Sequence, residues 1–242
     1  MIKFISICVL FPLTVLAKDI TYKVNDKEYE GYIINKGNKA PLVFMIHDWD
    51  GITDYEKKRS NMLAKLGYSV FVADLYGKGV RPTEVSEKKK MTSSLYENRK
   101  LMRELMDGAF DTAQKQNLNT KNALSLGYCF GGTAILEFAR SGKALKGHAS
   151  FHGGLTTPEG QNYKKVNGSI IIFHGTADTA VSMQEFADLA VELENNKVSH
   201  EMLTYSGAPH AFSVFGSPRY RKEADEKSWA RFTAFLAEKL NE

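Results

Sequence analysis

The sequence predicts an α/β fold, a mostly parallel central sheet with helices on both faces. Two observations predict it. Short apolar runs alternate with longer stretches that repeat apolar residues at helical spacing along the whole chain. The runs Pro41–Ile46, Tyr68–Ala73, Ala123–Leu126 and Ser169–Phe173 are continuous rather than alternating. Strands covered on both faces read that way.

The elements follow in order. Residues 20–34 read as two short strands around Asn25-Asp26, a turn signal. Pro41–Ile46 is the next strand, and His47-Asp48-Trp49-Asp50-Gly51 is the loop after it. A helix fits Asp54 to Leu66, with Tyr55, Met62, Leu63 and Leu66 on one face, and Gly67 stops it. After the Tyr68–Ala73 strand, Asp74 to Thr92 is rich in Gly, Lys and Glu without a clear period, as in a long excursion over the strand ends. A helix from about Ser94 to Gln116 carries Met102, Leu105, Met106, Ala109, Phe110 and Ala113 at helical spacing. The Ala123–Leu126 strand precedes a helix through Thr133–Arg140, and Gly147–Phe151 and Ser169–Phe173 are further strands. Phe186, Leu189, Ala190 and Leu193 mark a helix, Glu201–Tyr205 the last strand, and Trp229, Phe232, Phe235, Leu236 and Leu240 a C-terminal helix. No repeat or linker divides the chain, so residues 18–242 read as one domain.

Composition excludes several classes. Hydrophobic residues make up 43% and charged residues 25% of the 242, as in ordinary globular proteins. A net charge of +4, with no basic run interleaved with aromatics, gives no argument for nucleic acid. Lys88-Lys89-Lys90 reads as a solvated face. The N-terminus differs. Met1-Ile2-Lys3 is short and positive, Phe4–Leu16 is nearly all apolar, and Val15-Leu16-Ala17 ends on a small residue. This is a signal-peptide pattern over residues 1–17, too short to span a bilayer comfortably. The expectation is an exported protein, periplasmic or secreted, without a stable membrane anchor. Cys8 leaves with the leader, so Cys129 remains unpaired. Exported proteins usually pair their cysteines, and catalysis explains one that is not paired.

Cys129 sits in a pointed context. Gly127-Tyr128-Cys129-Phe130-Gly131 joins an apolar strand to a helix-like stretch, the layout of a nucleophile elbow with cysteine in the usual serine position. The sharp turn crowds the residues two before and two after, where Gly127 and Gly131 carry no Cβ. A helix starting after Cys129 aims backbone N–H groups and the positive dipole end at the sulfur, which favours thiolate.

Sites in such sheets form at the carboxyl ends of strands. Cys129, Asp178 and His210 each follow a strand, in the order nucleophile, acid, base. Cys129 would attack a carbonyl carbon, His210 would handle its proton, and Asp178 would fix the imidazole tautomer. His47, His148, His152, His174 and His200 lie within or at the ends of strand-like runs and read as hydrogen-bonded core or rim residues. No Cys-x-x-Cys or His-x-Glu pattern suggests a metal, and no cofactor is expected. The oxyanion hole needs two amides: Phe130, just after the nucleophile, and Trp49, in the loop after the first central strand.

Gly127-Tyr128-Cys129-Phe130-Gly131-Gly132 resembles the signature of the dienelactone hydrolase family. His47-Asp48-Trp49-Asp50-Gly51-Ile52, Asp74-Leu75-Tyr76-Gly77, His174-Gly175-x-x-Asp178 and Ala208-Pro209-His210-Ala211-Phe212 resemble its other blocks, and the likeness runs from about residue 28 to the C-terminus. The resemblance implies an α/β-hydrolase fold. It also implies cofactor-free hydrolysis of a small-molecule ester or lactone through a thioester. A carboxylate, here Asp48, is implied to contact the resting thiol and gate it. Members that open dienelactone hold a substrate carboxylate with arginines, one of them just after the His-x-Phe block, where this chain has Ser213-Val214. Tyr76, Lys78 and Arg81 are then the candidates for binding substrate. A binding or thiol-sensing protein without turnover, and an acyltransferase or thioesterase on the same site, are the alternative readings.

Overall fold

The computed structural model describes residues 17–241. The expected leader and Cys8 lie outside the described residues, apart from Ala17, which opens the first strand. The elements are β1 (Ala17–Val24), β2 (Lys27–Ile34), β3 (Pro41–Ile46), α1 (Asp54–Lys65), β4 (Ser69–Ala73), α2 (Val85–Glu97), α3 (Arg99–Lys115), β5 (Asn119–Tyr128), α4 (Phe130–Arg140), β6 (Gly147–Phe151), β7 (Ser169–Gly175), α5 (Met183–Asn195), β8 (His200–Tyr205) and α6 (Lys222–Leu240).

One sheet runs in the order β1-β2-β4-β3-β5-β6-β7-β8. β1, β2 and β4 pair antiparallel, and every pair from β4/β3 to β7/β8 is parallel. The β1–β2 hairpin turns at Asn25 and Asp26, both at positive φ (49° and 61°), where these residue types are tolerated. The period-two alternation of the strands sends side chains to two cores. Phe44 packs with α3 and α4, whereas Val43 and Met45 pack with α1 and α6. Ile170 and Ile172 face α5, whereas Ile171 and Phe173 face α6. Both faces of the sheet are therefore covered, and the parallel strands β3 to β7 are almost wholly buried.

The excursion expected over Asp74–Thr92 is shorter than read, because α2 begins at Val85. Its sequence hides the helix: Leu95 is its one buried residue, so no apolar stripe exists to be seen. The single helix expected from Ser94 to Gln116 is two, broken at Asn98. Asn98 ends α2 and caps α3, its side chain accepting from the Leu101 amide at 3.0 Å. α1 stops one residue earlier than expected, and Leu66 is 54% exposed rather than on the buried face.

Candidate active site

Cys129 stands where β5 becomes α4, with φ at +51°, a region costly for a residue with a Cβ. Its amide donates to the Phe151 carbonyl at 3.0 Å, and its carbonyl accepts from the Thr133 amide at 3.2 Å. The neighbouring glycines show why the turn is possible. A Cβ on Gly127 would overlap the Gly131 backbone, and one on Gly131 would overlap the Ile46 and His47 carbonyls. Contact between β5, α4 and the end of β3 is therefore backbone to backbone.

The structure brings Cys129, His210 and Asp178 together. His210 follows β8, and its Nε2 lies 3.1 Å from Cys129 Sγ. Its Nδ1 lies 2.8 Å from Asp178 Oδ2. Asp178 follows β7 and is itself fixed, its Oδ1 accepting from the Ala180 and Val181 amides at 2.8 and 2.9 Å. Burial works to lower the His210 pKa, but the bonds and charges of Asp178 and Cys129 outweigh it and raise it to about 10. Burial works in the opposite sense on Asp178, and the His210 and backbone hydrogen bonds outweigh it to hold the carboxyl below its usual range. The arrangement favours an imidazolium against the Asp178 carboxylate.

The loop after β3 completes the floor. His47 donates from Nδ1 to the Asp48 carbonyl at 2.6 Å and accepts at Nε2 from the Leu75 amide at 3.1 Å. Burial lowers its pKa, so it is a neutral brace between two loops rather than a proton carrier. Buried Glu56 accepts from the Asp48 and Thr53 amides and anchors the same loop. Trp49 and Phe130 line one cavity with Cys129 and His210. Phe130 is the first residue of α4, where an amide has no acceptor within its own helix.

Asp48 lines the cavity too, but among the described residues the hydrogen bond of Cys129 Sγ runs to His210 and none joins it to Asp48. Asp48 Oδ1 accepts from the Asp50 amide at 2.8 Å instead. Burial and the Glu56 charge push its carboxyl well above the usual range.

The expected substrate-binding trio does not meet in the cavity. Tyr76 is buried beneath it, donating its hydroxyl to the Trp49 carbonyl at 3.2 Å. Lys78 pairs with Glu28 at 3.2 Å. Arg81 donates to the Ile52 carbonyl at 2.9 Å and lies 3.8 Å from Glu30 and 3.9 Å from Asp74. Glu28 and Glu30 of the β1–β2 hairpin, with Asp74 after β4, hold both cations, and neither Lys78 nor Arg81 lines the cavity. The cavity, of about 680 Å³, takes its basic residues from elsewhere: Lys88, Arg99 and Arg219. Lys88, expected on a solvated face, has a side chain only 15% exposed that pairs with Asp50 at 2.7 Å. Lys88, Thr92 and Tyr96 line the cavity along one face of α2. Their i, i+4, i+8 spacing was the available signal, polar instead of apolar and so unread.

Among the described residues, no group of three or more His, Cys, Asp or Glu could hold a metal, and no helix is long and apolar enough to cross a membrane.

Residues 29–240 match the dienelactone hydrolase family. The chain belongs to that family. It is a lactone or ester hydrolase on the α/β-hydrolase fold. This dienelactone hydrolase-family chain is 23% identical over 206 residues to a Synechocystis protein named carboxymethylenebutenolidase, covering 79% of this chain and 83% of that one. A Saccharolobus solfataricus protein of the same name is 23% identical, covering 91% and 98%. Among solved structures, a dienelactone hydrolase-like promiscuous phosphotriesterase from metagenomic libraries superposes with a TM-score of 0.85 at 25% identity, covering 93% and 98%. A Klebsiella pneumoniae chain named for dienelactone hydrolase shares the fold, with a TM-score of 0.81 at 18% identity, covering 93% and 99%.

Proposed function

We propose that this protein is an exported hydrolase that cleaves a carboxylic ester or lactone through a Cys129-His210-Asp178 triad and a thioester. The observation that supports it is the continuous line from Asp178 through His210 to the Cys129 sulfur, 2.8 and 3.1 Å, opening on a cavity. The thiolate attacks the carbonyl carbon, and the oxyanion takes the Phe130 and Trp49 amides. The ester C–O bond then breaks, and His210 gives its proton to the leaving oxygen. Water attacks the thioester, His210 accepts its proton, and the acid leaves with the sulfur restored as thiolate. Asp178 keeps the Nδ1–H tautomer throughout.

The test is turnover of p-nitrophenyl acetate with intact-mass analysis after acid quench. Wild type should show an acetylated Cys129, and Cys129→Ala should show neither adduct nor turnover. Turnover that survives Cys129→Ala ends the reading. A screen of small lactones and short acyl esters names the substrate class. A phosphotriester belongs in it, since one similar structure is a phosphotriesterase. Export rests on the positive start, apolar core and Val15-Leu16-Ala17 end. Native protein should begin at Lys18, and a retained Met1 in the membrane fraction would refute cleavage.

A further inference from the structure

Trp49 lies between two peptide groups, and each is held by its carbonyl oxygen. The Asp48 carbonyl, which shares a peptide with the Trp49 N–H, accepts from His47 Nδ1 at 2.6 Å. The Trp49 carbonyl accepts from the Tyr76 hydroxyl at 3.2 Å. Among the described residues, no backbone hydrogen bond takes up the Trp49 N–H itself. A trans peptide is planar, with its N–H and C=O on opposite sides. Trp49 lines the cavity, whereas His47 and Tyr76 are buried beneath it. Holding the Asp48 carbonyl against His47 therefore turns the Trp49 N–H away from the buried rings.

Backbone groups fix every donor direction in this frame. A carbonyl only accepts, so the proton of the His47–Asp48 bond sits on Nδ1. The Leu75 amide only donates, to Nε2 at 3.1 Å, so that nitrogen is bare. Both bonds ask for the same tautomer. The Tyr76 hydroxyl likewise has only an acceptor in the Trp49 carbonyl. The second oxyanion donor is tied to the same two rings. The Phe130 side chain packs against His47 and Tyr76 with ring centres 5.8 and 5.7 Å away, and His47 meets Tyr76 edge to face at 4.6 Å.

We infer that His47 and Tyr76 are positioning residues that aim the Trp49 amide and hold it in register with the Phe130 amide, so that the oxyanion hole is set before substrate arrives. The inference rests on those two amides being the oxyanion donors of the proposed hydrolysis. Donors preorganised in this way act on charge that develops in the transition state. Loss of the frame therefore slows acyl transfer and leaves the reactivity of the sulfur itself unchanged. Tyr76 acts through Trp49, in place of the substrate contact expected from the sequence.

Turnover of p-nitrophenyl acetate and alkylation of Cys129 by iodoacetamide separate the two effects, because alkylation develops no oxyanion. His47→Phe should lower kcat and kcat/KM together by roughly a hundredfold, the low end for a lost oxyanion donor, and leave the alkylation rate within about twofold of wild type. In His47→Asn the side-chain amide nitrogen stands as many bonds from Cβ as Nδ1 does and can donate to the Asp48 carbonyl. The Leu75 amide loses its partner in both variants. His47→Asn should therefore recover at least about tenfold of the loss. Tyr76→Phe should lower kcat by up to about tenfold, the worth of one hydrogen bond. Equal losses in His47→Phe and His47→Asn would reduce His47 to a brace for Leu75 and overturn the inference. So would alkylation that falls in step with turnover. In wild type, ¹⁵N-histidine spectra should show His47 with a protonated Nδ1 and a bare Nε2, and an Nε2–H signal there overturns the inference even if the variants fold poorly. Cys129→Ala runs alongside: turnover that persists in it refutes the thioester route, whereas its loss together with full turnover in His47→Phe refutes the positioning role alone.

Discussion

Asp178 holds His210 with one carboxylate oxygen, at 2.8 Å from Nδ1, while its other oxygen is held by the Ala180 and Val181 amides. Three donors thus converge on one carboxylate, and its orientation is set by the turn after β7 as much as by the histidine. Asp178→Asn keeps the oxygen that faces the two amides and puts an NH₂ where Oδ2 stood. That group donates to Nδ1 and selects the Nε2–H tautomer, which cannot accept a proton from the sulfur. The fold should survive, and kcat should collapse. His210→Ala should lose about 10²–10⁴ in kcat/KM, the range for a positioned proton-transfer group. Full activity in Asp178→Asn would give the role to another acid.

Gly131 makes a sharper structural prediction. A Cβ there meets the Ile46 and His47 carbonyls, which belong to the floor of the site and cannot swing aside as a side chain would. Gly131→Ala should cost at least about 3 kcal/mol, the upper end for overpacking. For a domain of this size that is a loss of roughly 6–12 °C in melting temperature. Gly154→Ala is the control, since its Cβ would meet the Thr133 side chain at 3.0 Å rather than backbone. An equal loss in both would show that backbone contact is not the cause.

What the sequence made legible was whatever repeats or turns sharply. The continuous runs gave the parallel strands, and Gly127 and Gly131 gave the elbow. Residues that follow strands in such a sheet converge, so Cys129, Asp178 and His210 could be picked from their order alone. The cavity's other wall could not. α2 presents Lys88, Thr92 and Tyr96 inward and buries Leu95, so no hydrophobic period announced it. Lys78 and Arg81 were drawn toward the site by their nearness in sequence to Tyr76. Their carboxylate partners come from β2 and from the end of β4, contacts that exist only after the hairpin joins the sheet. The bond of His152 to Ser213 spans 61 positions and has no sequence signal.

The relocation of positive charge changes which variants affect substrate choice. Arg219 lines the cavity, is exposed, and has no ion-pair partner among the described residues. Arg219→Ala should raise KM for an ester bearing a carboxylate by up to about fivefold, the reach of an exposed ion pair, and leave a neutral ester unchanged. Lys78→Ala and Arg81→Ala should treat both esters alike. Charge selectivity that follows Lys78 or Arg81 instead would reverse this assignment.

Asp48 tests the idea of a gated nucleophile. Its carboxyl is pushed toward the neutral form by burial and by Glu56, and a neutral acid does not repel a thiolate. Asp48→Asn is nearly isosteric. Iodoacetamide should label Cys129 in the variant within about twofold of the wild-type rate between pH 6 and 8. Labelling that is about tenfold faster in the variant would restore Asp48 as the gate.

Stability should peak near neutral pH, with a different histidine governing each flank. His210 has a folded pKa of about 10 against 6.5. The folded state binds the extra proton, so its contribution is complete below about 6.5 and is lost as pH rises through about 10. His148 behaves oppositely. It accepts from Ser125 Oγ at 2.8 Å, donates to the Asn167 carbonyl at 3.1 Å, and burial lowers its pKa to about 4. The unfolded chain takes a proton there that the folded chain refuses, so stability holds above about 6.5 and falls as pH drops toward 4. Buried His47, His152 and His174, all lowered, share that acid flank. Melting temperatures measured from pH 4 to 10 should therefore separate the two. His148→Gln should flatten the acid side in part and leave the alkaline side alone. His210→Gln should flatten the alkaline side, and because the His210 charge also lowers His152 and His174 it should ease the acid side as well. If His148→Gln moved the alkaline flank, or His210→Gln left that flank steep, the protonation states assigned to these two rings would be wrong.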